Sequence, residues 1–426
     1  MNKLYQQTIL ERRPYTRLPT MSGSNSMKIY NFARGYPNRS LIPTDEMKEI
    51  FTKVASNSER LSSSLNYGNN EGNHDFLLEL KDFLERQCLR DQYPQDHAAP
   101  DTKLFTTHGV SHGLDILCAT IASPGDLVLV EKPTYFLVSG IFKDHKLRIE
   151  TLPMNANGID CAKLEERLND GMRPKLIYLI PSHQNPSGRT LPIDDRVRLC
   201  QLAERFEFTI LADEVYHLLD WRDEAQHGKR PARFSTLSRN ALSVSSFTKI
   251  FGPGIRCGWI EGDSTHISNI SKYGYIRSQG GCAPFVGNLM CAALELGISD
   301  KILQKLNVAY RDRVAVLVDI LEQEPRLRIV VKPLGGYFIW IQLFAQEQEC
   351  LQASDFLDYC RERGITFLLG DCCDPSNSTT LSQYARLCFT DLDESDLREG
   401  AELFVTLYRR FLEARATYEK RVGNNK

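Results

Sequence analysis

A lysine placed where a buried strand gives way to a turn is the first residue in this chain equipped to act as a nucleophile. Lys249 stands in Ser246-Phe-Thr-Lys-Ile-Phe-Gly-Pro-Gly-Ile-Arg-Cys-Gly258, after an apolar strand pattern and before a Pro-Gly turn. An amine that leaves the end of a parallel strand into a crevice is partly desolvated, which depresses its pKa and makes it reactive. Ser246 and Thr248 offer hydroxyls beside it, and Arg256 offers a fixed charge. A strand-end lysine taken alone is usually a solvated charge; the string around this one weighs against that reading.

Other residues invite the same double reading. In Thr106-Thr-His-Gly-Val-Ser-His-Gly-Leu114, Gly109 lets the backbone approach an anion, and the N–H groups of Val110 and Ser111 open a helix towards it. Pro181-Ser-His-Gln-Asn-Pro-Ser-Gly188 is a turn built from Asn, Pro and Gly. Asp213, in Ala212-Asp-Glu-Val-Tyr216, closes a strand pattern, where a helix N-cap is the ordinary role. Arg386, inside Tyr384-Ala-Arg-Leu-Cys-Phe389, is otherwise a surface ion pair, but a guanidinium can clamp a carboxylate with two parallel bonds.

The elements that must position these residues follow from hydrophobic periodicity. Short apolar runs at Asp126–Glu131, Lys175–Ile180, Phe208–Asp213 and Leu242–Phe247 read as buried strands. Helical patterns lie between them, Asp194–Phe206 most clearly. Continuous apolar strands alternating with helices imply a mainly parallel sheet sandwiched by helices. Beyond residue 295, helices over Asp300–Glu324 and Ala353–Gly364 alternate with strands at Ile329–Lys332, Tyr337–Gln342 and Tyr384–Phe389, and Asp393–Tyr418 closes the chain. The reading is α/β, a large domain over 61–295 and a smaller α+β domain over 296–426, with 29–60 packing against the small domain and 1–28 as an arm.

The 426 residues, 42% apolar and 25% charged, can bury more than one core. A formal charge of −2 gives no field that favours nucleic acid or an anionic membrane, and no apolar run is long enough to span one. Twelve scattered cysteines, with no Cys-x-x-Cys, read as reduced core thiols, and no metal site is expected. A cytoplasmic location is expected. The basic arm (Lys3, Arg12, Arg13, Arg17 and Lys28 against Glu11) reads as a disordered or partner-clasping segment, with a mitochondrial transit peptide as the second reading.

Taken in order, these motifs resemble the class I/II aminotransferases, the fold type I enzymes that use pyridoxal 5′-phosphate (PLP). The resemblance runs over about residues 30 to 415. It implies that Lys249 carries PLP as a Schiff base and that Gly109, Val110, Ser111, Ser246, Thr248 and Arg256 cup the phosphate. Tyr135 would stack on the ring, Asn185 and Tyr216 would reach its phenolic oxygen, and Asp213 would pair with the ring nitrogen. Arg386, with Asn185, would hold the substrate carboxylate, and Gly35 would line the substrate mouth. Tyr67 would cross to the phosphate of a second copy, which implies a homodimer. The branch it looks most like contains the 2-aminoadipate, kynurenine and aromatic amino-acid aminotransferases. The expected reaction joins an amino acid donor to a 2-oxo acid acceptor, 2-oxoglutarate first. A PLP-dependent carbon–sulfur β-lyase and an effector-binding module are the competing readings. The sequence departs from the family at Lys132, where an acidic or neutral residue is usual, and at Leu369-Gly-Asp-Cys-Cys373 with the polar loop to Ser382. Arg34 is a candidate partner for a distal carboxylate.

Overall fold

The computed structural model describes residues 27–95, 100–156, 158–345 and 351–423. Apart from its last two residues, the basic arm lies outside the described residues.

The strand patterns become one seven-stranded sheet. In sheet order its strands are Thr102–Thr107, Gly258–Asp263, Ala241–Ser246, Thr209–Asp213, Leu176–Leu179, Leu127–Val130 and Arg148–Thr151. Gly258–Asp263 runs antiparallel to both its neighbours; every other pair is parallel. The continuous apolar runs have a simple cause. Successive side chains point to opposite faces of a strand, and here both faces are covered. Leu176 and Tyr178 enter one core with Leu211 and Val244. Ile177 and Leu179 enter a second with Ile210, Ala212 and Leu199.

Helix Ile193–Phe206 shows how the covering layer is built. It starts after Pro192 with Asp194 and Asp195 in its first turn, which favours the helix dipole, and it stops where Glu207 turns left-handed at φ 58°. It buries Leu199, Cys200, Leu202 and Ala203, but also Arg196. That guanidinium is tolerated because it donates to the carbonyls of Leu191, Ala232 and Pro181 and lies 3.8 Å from Glu214.

A smaller antiparallel sheet follows, in the order Arg328–Ile329, Phe338–Gln342, Tyr384–Cys388, Leu368–Leu369. It is flanked by helices Ile298–Leu321, Ala353–Arg361 and Glu394–Gly423. The strand expected over Ile329–Lys332 is shorter and earlier than the pattern suggested. Residues 29–60 do not all pack against this smaller part. Tyr30–Asn31 pairs with Ile365–Thr366, but helix Thr44–Ala55 packs on helix Pro284–Glu295, in the stretch assigned to the large domain. None of the eleven cysteines described forms a disulfide, and all but Cys372 are buried. Among the described residues no helix is long and apolar enough to cross a membrane.

Candidate active site

Parallel strands deliver their carboxyl ends to one edge of the sheet, and the residues that could do chemistry gather there. The strand Ala241–Ser246 ends in a tight turn, Phe247–Lys249, rather than continuing to Phe247. The buried Phe247 ring anchors that turn against Phe76, Phe83, Phe251 and Trp259. Lys249 then projects from a fixed base. Its Nζ donates to the Gly35 carbonyl at 3.1 Å and sits 4.7 Å from the centre of the Tyr337 ring. Burial, joined by the charge of Arg386, pulls its pKa down to about 8.

Arg386 meets the same segment. Its Nη2 donates to the Ala33 carbonyl at 2.6 Å and its Nη1 to Asn185 Oδ1 at 2.9 Å, and its guanidinium lies 3.9 Å from the Phe338 ring centre. Arg386 is buried, its Nε has no hydrogen-bond acceptor, and no carboxylate pairs with it among the described residues. Asp213 is its counterpart of opposite sign. Its carboxyl is buried, accepts from Tyr178 Oη at 3.0 Å, and has no ion-pair partner among the described residues. Burial pushes its pKa up to about 6, against the pull of the Tyr178 and Val215 hydrogen bonds. A buried cation and a buried anion, each without its own counter-ion, cost energy that a ligand of matching charges recovers.

The glycine turn forms the third wall. Gly109 caps helix Val110–Ile121 at φ 90°, and a side chain there would meet Arg256 Nη2 at 2.9 Å. Arg256 reaches back to the His108 carbonyl at 2.6 Å. Ser246 Oγ accepts from the Thr248 amide at 3.3 Å, while Gly258 approaches so closely that a Cβ would lie 2.8 Å from Gly109 Cα. Backbone donors, hydroxyls and a cation thus surround a place where only glycine backbone fits, which is the composition of a phosphate cup.

The remaining expected residues fall as follows. Tyr216 is buried, with its ring 5.5 Å from that of Tyr337. Tyr135 and Thr248 are half-buried, and Ser111 and Arg256 face solvent. Tyr67 is 82% exposed, far from being enclosed by its own chain. Arg34 is exposed, and its charge acts on Asp391. Three side chains join the site that the motifs did not single out. Tyr178 bonds Asp213. Tyr337 lies under Lys249 and donates to its carbonyl at 3.2 Å. Glu131 accepts from the Ile180 amide at 2.8 Å and from Gln184, and burial pushes its pKa up to about 8. The two departures in the sequence meet each other. Lys132 Nζ bonds Ser376 and Ser378 at 2.8 Å and pairs with Asp374 at 3.1 Å, latching the polar loop to the strand end.

This fold and edge define a PLP-type aminotransferase architecture, and comparison with known proteins agrees. The chain belongs to the aminotransferase class I and II family, whose model matches residues 39–404. It is similar to aromatic-amino-acid aminotransferase 1 of Thermococcus litoralis, 27% identical over 380 residues that cover 87% of this chain and 86% of that one. It is also similar to the 2-aminoadipate transaminase of Thermus thermophilus, 26% identical with 87% and 88% covered. Among solved structures, the kynurenine aminotransferase of Pyrococcus horikoshii, in complex with PMP, superposes with a TM-score of 0.81 over 97% of this chain and 95% of that one, at 22% identity. The protein is a PLP-dependent aminotransferase, an enzyme family whose substrates are amino and 2-oxo acids.

Proposed function

We propose that this enzyme transfers the amino group of an aromatic amino acid, kynurenine or 2-aminoadipate to 2-oxoglutarate, with Lys249 as the proton-moving residue. The observation that carries the reading is the shared segment at residues 33–35. Lys249 and Arg386 hydrogen-bond carbonyls two residues apart, so an amino acid clamped by its carboxylate at Arg386 sits beside the lysine amine.

The residues present fit PLP. Lys249 would hold it covalently, the Gly109–Ser111 amides with Ser246, Thr248 and Arg256 would hold its phosphate, and Asp213 would face its ring nitrogen. When bound, PLP supplies the electron sink that stabilises negative charge on the substrate Cα. Arg386 and Asn185 orient the carboxylate. Lys249 Nζ takes the Cα proton and later returns one, a role suited to an amine whose pKa lies near neutral. Asp213 keeps a proton on the group opposite it. Tyr216 and Tyr337 wall the lysine from bulk water.

Two outcomes follow here. In protein freed of PLP, the rate of covalent PLP capture, followed by absorbance, rises with pH and levels off above about 8, because the amine is unprotonated above its pKa. A solvent-exposed lysine would keep rising to about 10.4. Gly109→Ala forces a side chain into a left-handed backbone and against Arg256; such strain costs about 1–3 kcal/mol, so the Kd for PLP rises about 5- to 150-fold in equilibrium dialysis.

We also propose a homodimer. Leu65, Tyr67, Tyr275 and Phe285 are exposed apolar or aromatic residues, 75%, 82%, 50% and 38% accessible, and a second copy would cover them while bringing Tyr67 to its phosphate cup. The test of function is a donor panel with 2-oxoglutarate, read as glutamate formed. Glutamate from aromatic donors, kynurenine or 2-aminoadipate supports the proposal. Ammonia and pyruvate from cysteine conjugates, without an acceptor, would replace it with a carbon–sulfur lyase.

A further inference from the structure

A pocket opens between the two sheets, apart from the reacting groups. It is a cleft of about 190 Å³ whose walls include Gln184 and Arg189 from the turn after Leu176–Leu179, and Arg328, Trp340 and Tyr384 from the small sheet. Lys249, Asp213, Asn185, Tyr216 and Arg386 do not line it. Trp340 pairs with Arg386 across the strands, so the cleft and the substrate clamp are neighbours on one sheet face.

Its charge is unbalanced. Arg189 is half-buried, and its guanidinium has no ion pair and no hydrogen bond among the described residues. Arg328 donates only to Gln342 Oε1, at 2.9 Å, and meets no carboxylate among the described residues. Burial and the charge of Arg328 both lower the pKa of Arg189. Two arginines turned to one cleft repel each other unless an anion lies between them. Glu131, the acidic group in the wall, is held mostly uncharged at neutral pH by burial, so it does not oppose an anion. Lys132, a further cation in the wall, is already paired with Asp374, and Asn155, Gln184 and Ser187 are neutral. The apolar part of the wall has Leu191 and, stacked with ring centres 5.5 Å apart, Trp340 and Tyr384.

We propose that this cleft is a second ligand site for a small organic carboxylate with an apolar body. The carboxylate lies between Arg189 and Arg328, and the body rests against Trp340 and Leu191. Because the two arginines come from the two sheets, an occupant ties the turn that carries Asn185 to the sheet that carries Arg386.

The test is calorimetric titration of the PLP-loaded enzyme with phenylacetate, which has the carboxylate and apolar body but no amino or oxo group. Benzyl alcohol serves as its uncharged counterpart. Phenylacetate also suits the Arg386 clamp, so the decisive titrations use Arg386→Ala. One equivalent of phenylacetate is expected to bind that variant. Adding Arg189→Ala or Arg328→Ala is expected to weaken the binding about tenfold or more, the range for a charge-assisted hydrogen bond, and benzyl alcohol binds at least tenfold more weakly. Arg328 stands exposed at the sheet edge, so its alanine variant tests the site even if Arg189→Ala fails to fold. Loss of all phenylacetate binding in Arg386→Ala would overturn the proposal. So would binding indifferent to both arginine changes, or benzyl alcohol binding as tightly as phenylacetate.

Discussion

Lys249→Ala is expected to lower transamination turnover by about 10³- to 10⁴-fold, since a positioned proton-transfer group contributes roughly 10²–10⁴ and the alanine also removes the covalent attachment. The fold should survive. Among the described residues the Lys249 side chain's only hydrogen bond is to the Gly35 carbonyl, and the charge it carries is one that burial disfavours. The midpoint of thermal unfolding should therefore hold or rise while turnover collapses. Lys249→Arg gives no rescue, because a guanidinium stays protonated and offers no base. Methylamine added to Lys249→Ala should restore part of the rate, most strongly above the pH at which the added amine is free of its proton. A variant with near-normal turnover would remove Lys249 from the chemistry.

Arg386→Lys is expected to lower kcat/KM for the amino acid by about 10²- to 10³-fold, in keeping with the roughly 2–5 kcal/mol lost when one partner of a buried, hydrogen-bonded charge pair is cut away. Lysine keeps the charge but not the fork. It cannot hold the Ala33 carbonyl, Asn185 Oδ1 and a carboxylate at once, as the planar guanidinium can. The loss should be specific to the carboxylate. Measured against the matching decarboxylated amine, the wild-type preference for the amino acid should shrink to near unity in the variant. A kcat/KM that falls equally for both substrates would assign Arg386 to holding the fold rather than the substrate.

How far these residues could be read beforehand depends on whether their signal is local. Strand ends at Asp213 and Ser246, the Gly109 turn and the Asn185 turn are written in short strings, because backbone turns impose composition on the residues that make them. Tyr178 and Tyr337 carry no such mark. Each lies in an apolar run where a tyrosine looks like core; only the pairing of strands sets Tyr178 beside Asp213, and only the meeting of segments 88 residues apart sets Tyr337 beneath Lys249. Arg196 misleads in the opposite sense. It belongs to the buried stripe of helix Ile193–Phe206, because backbone carbonyls outside the helix, at Pro181, Leu191 and Ala232, satisfy it. The latch between Lys132 and Asp374 joins two local oddities across more than two hundred residues, which no period in the sequence records. The early segment is hard to place for a related reason. Helix Thr44–Ala55 shows an apolar stripe, but the pattern does not say which neighbour, here Pro284–Glu295, will cover it.

The most direct test of the account is a single half-reaction. The PLP-loaded enzyme is mixed with one donor, kynurenine or 2-aminoadipate, with no acceptor present, and the 2-oxo acid, the ammonia and the visible absorbance are measured together. The account predicts one equivalent of 2-oxo acid per PLP-bearing chain, loss of the visible band, no ammonia, and none of these changes in Lys249→Ala. Ammonia in place of a stoichiometric 2-oxo acid, or the same product from Lys249→Ala, would contradict it.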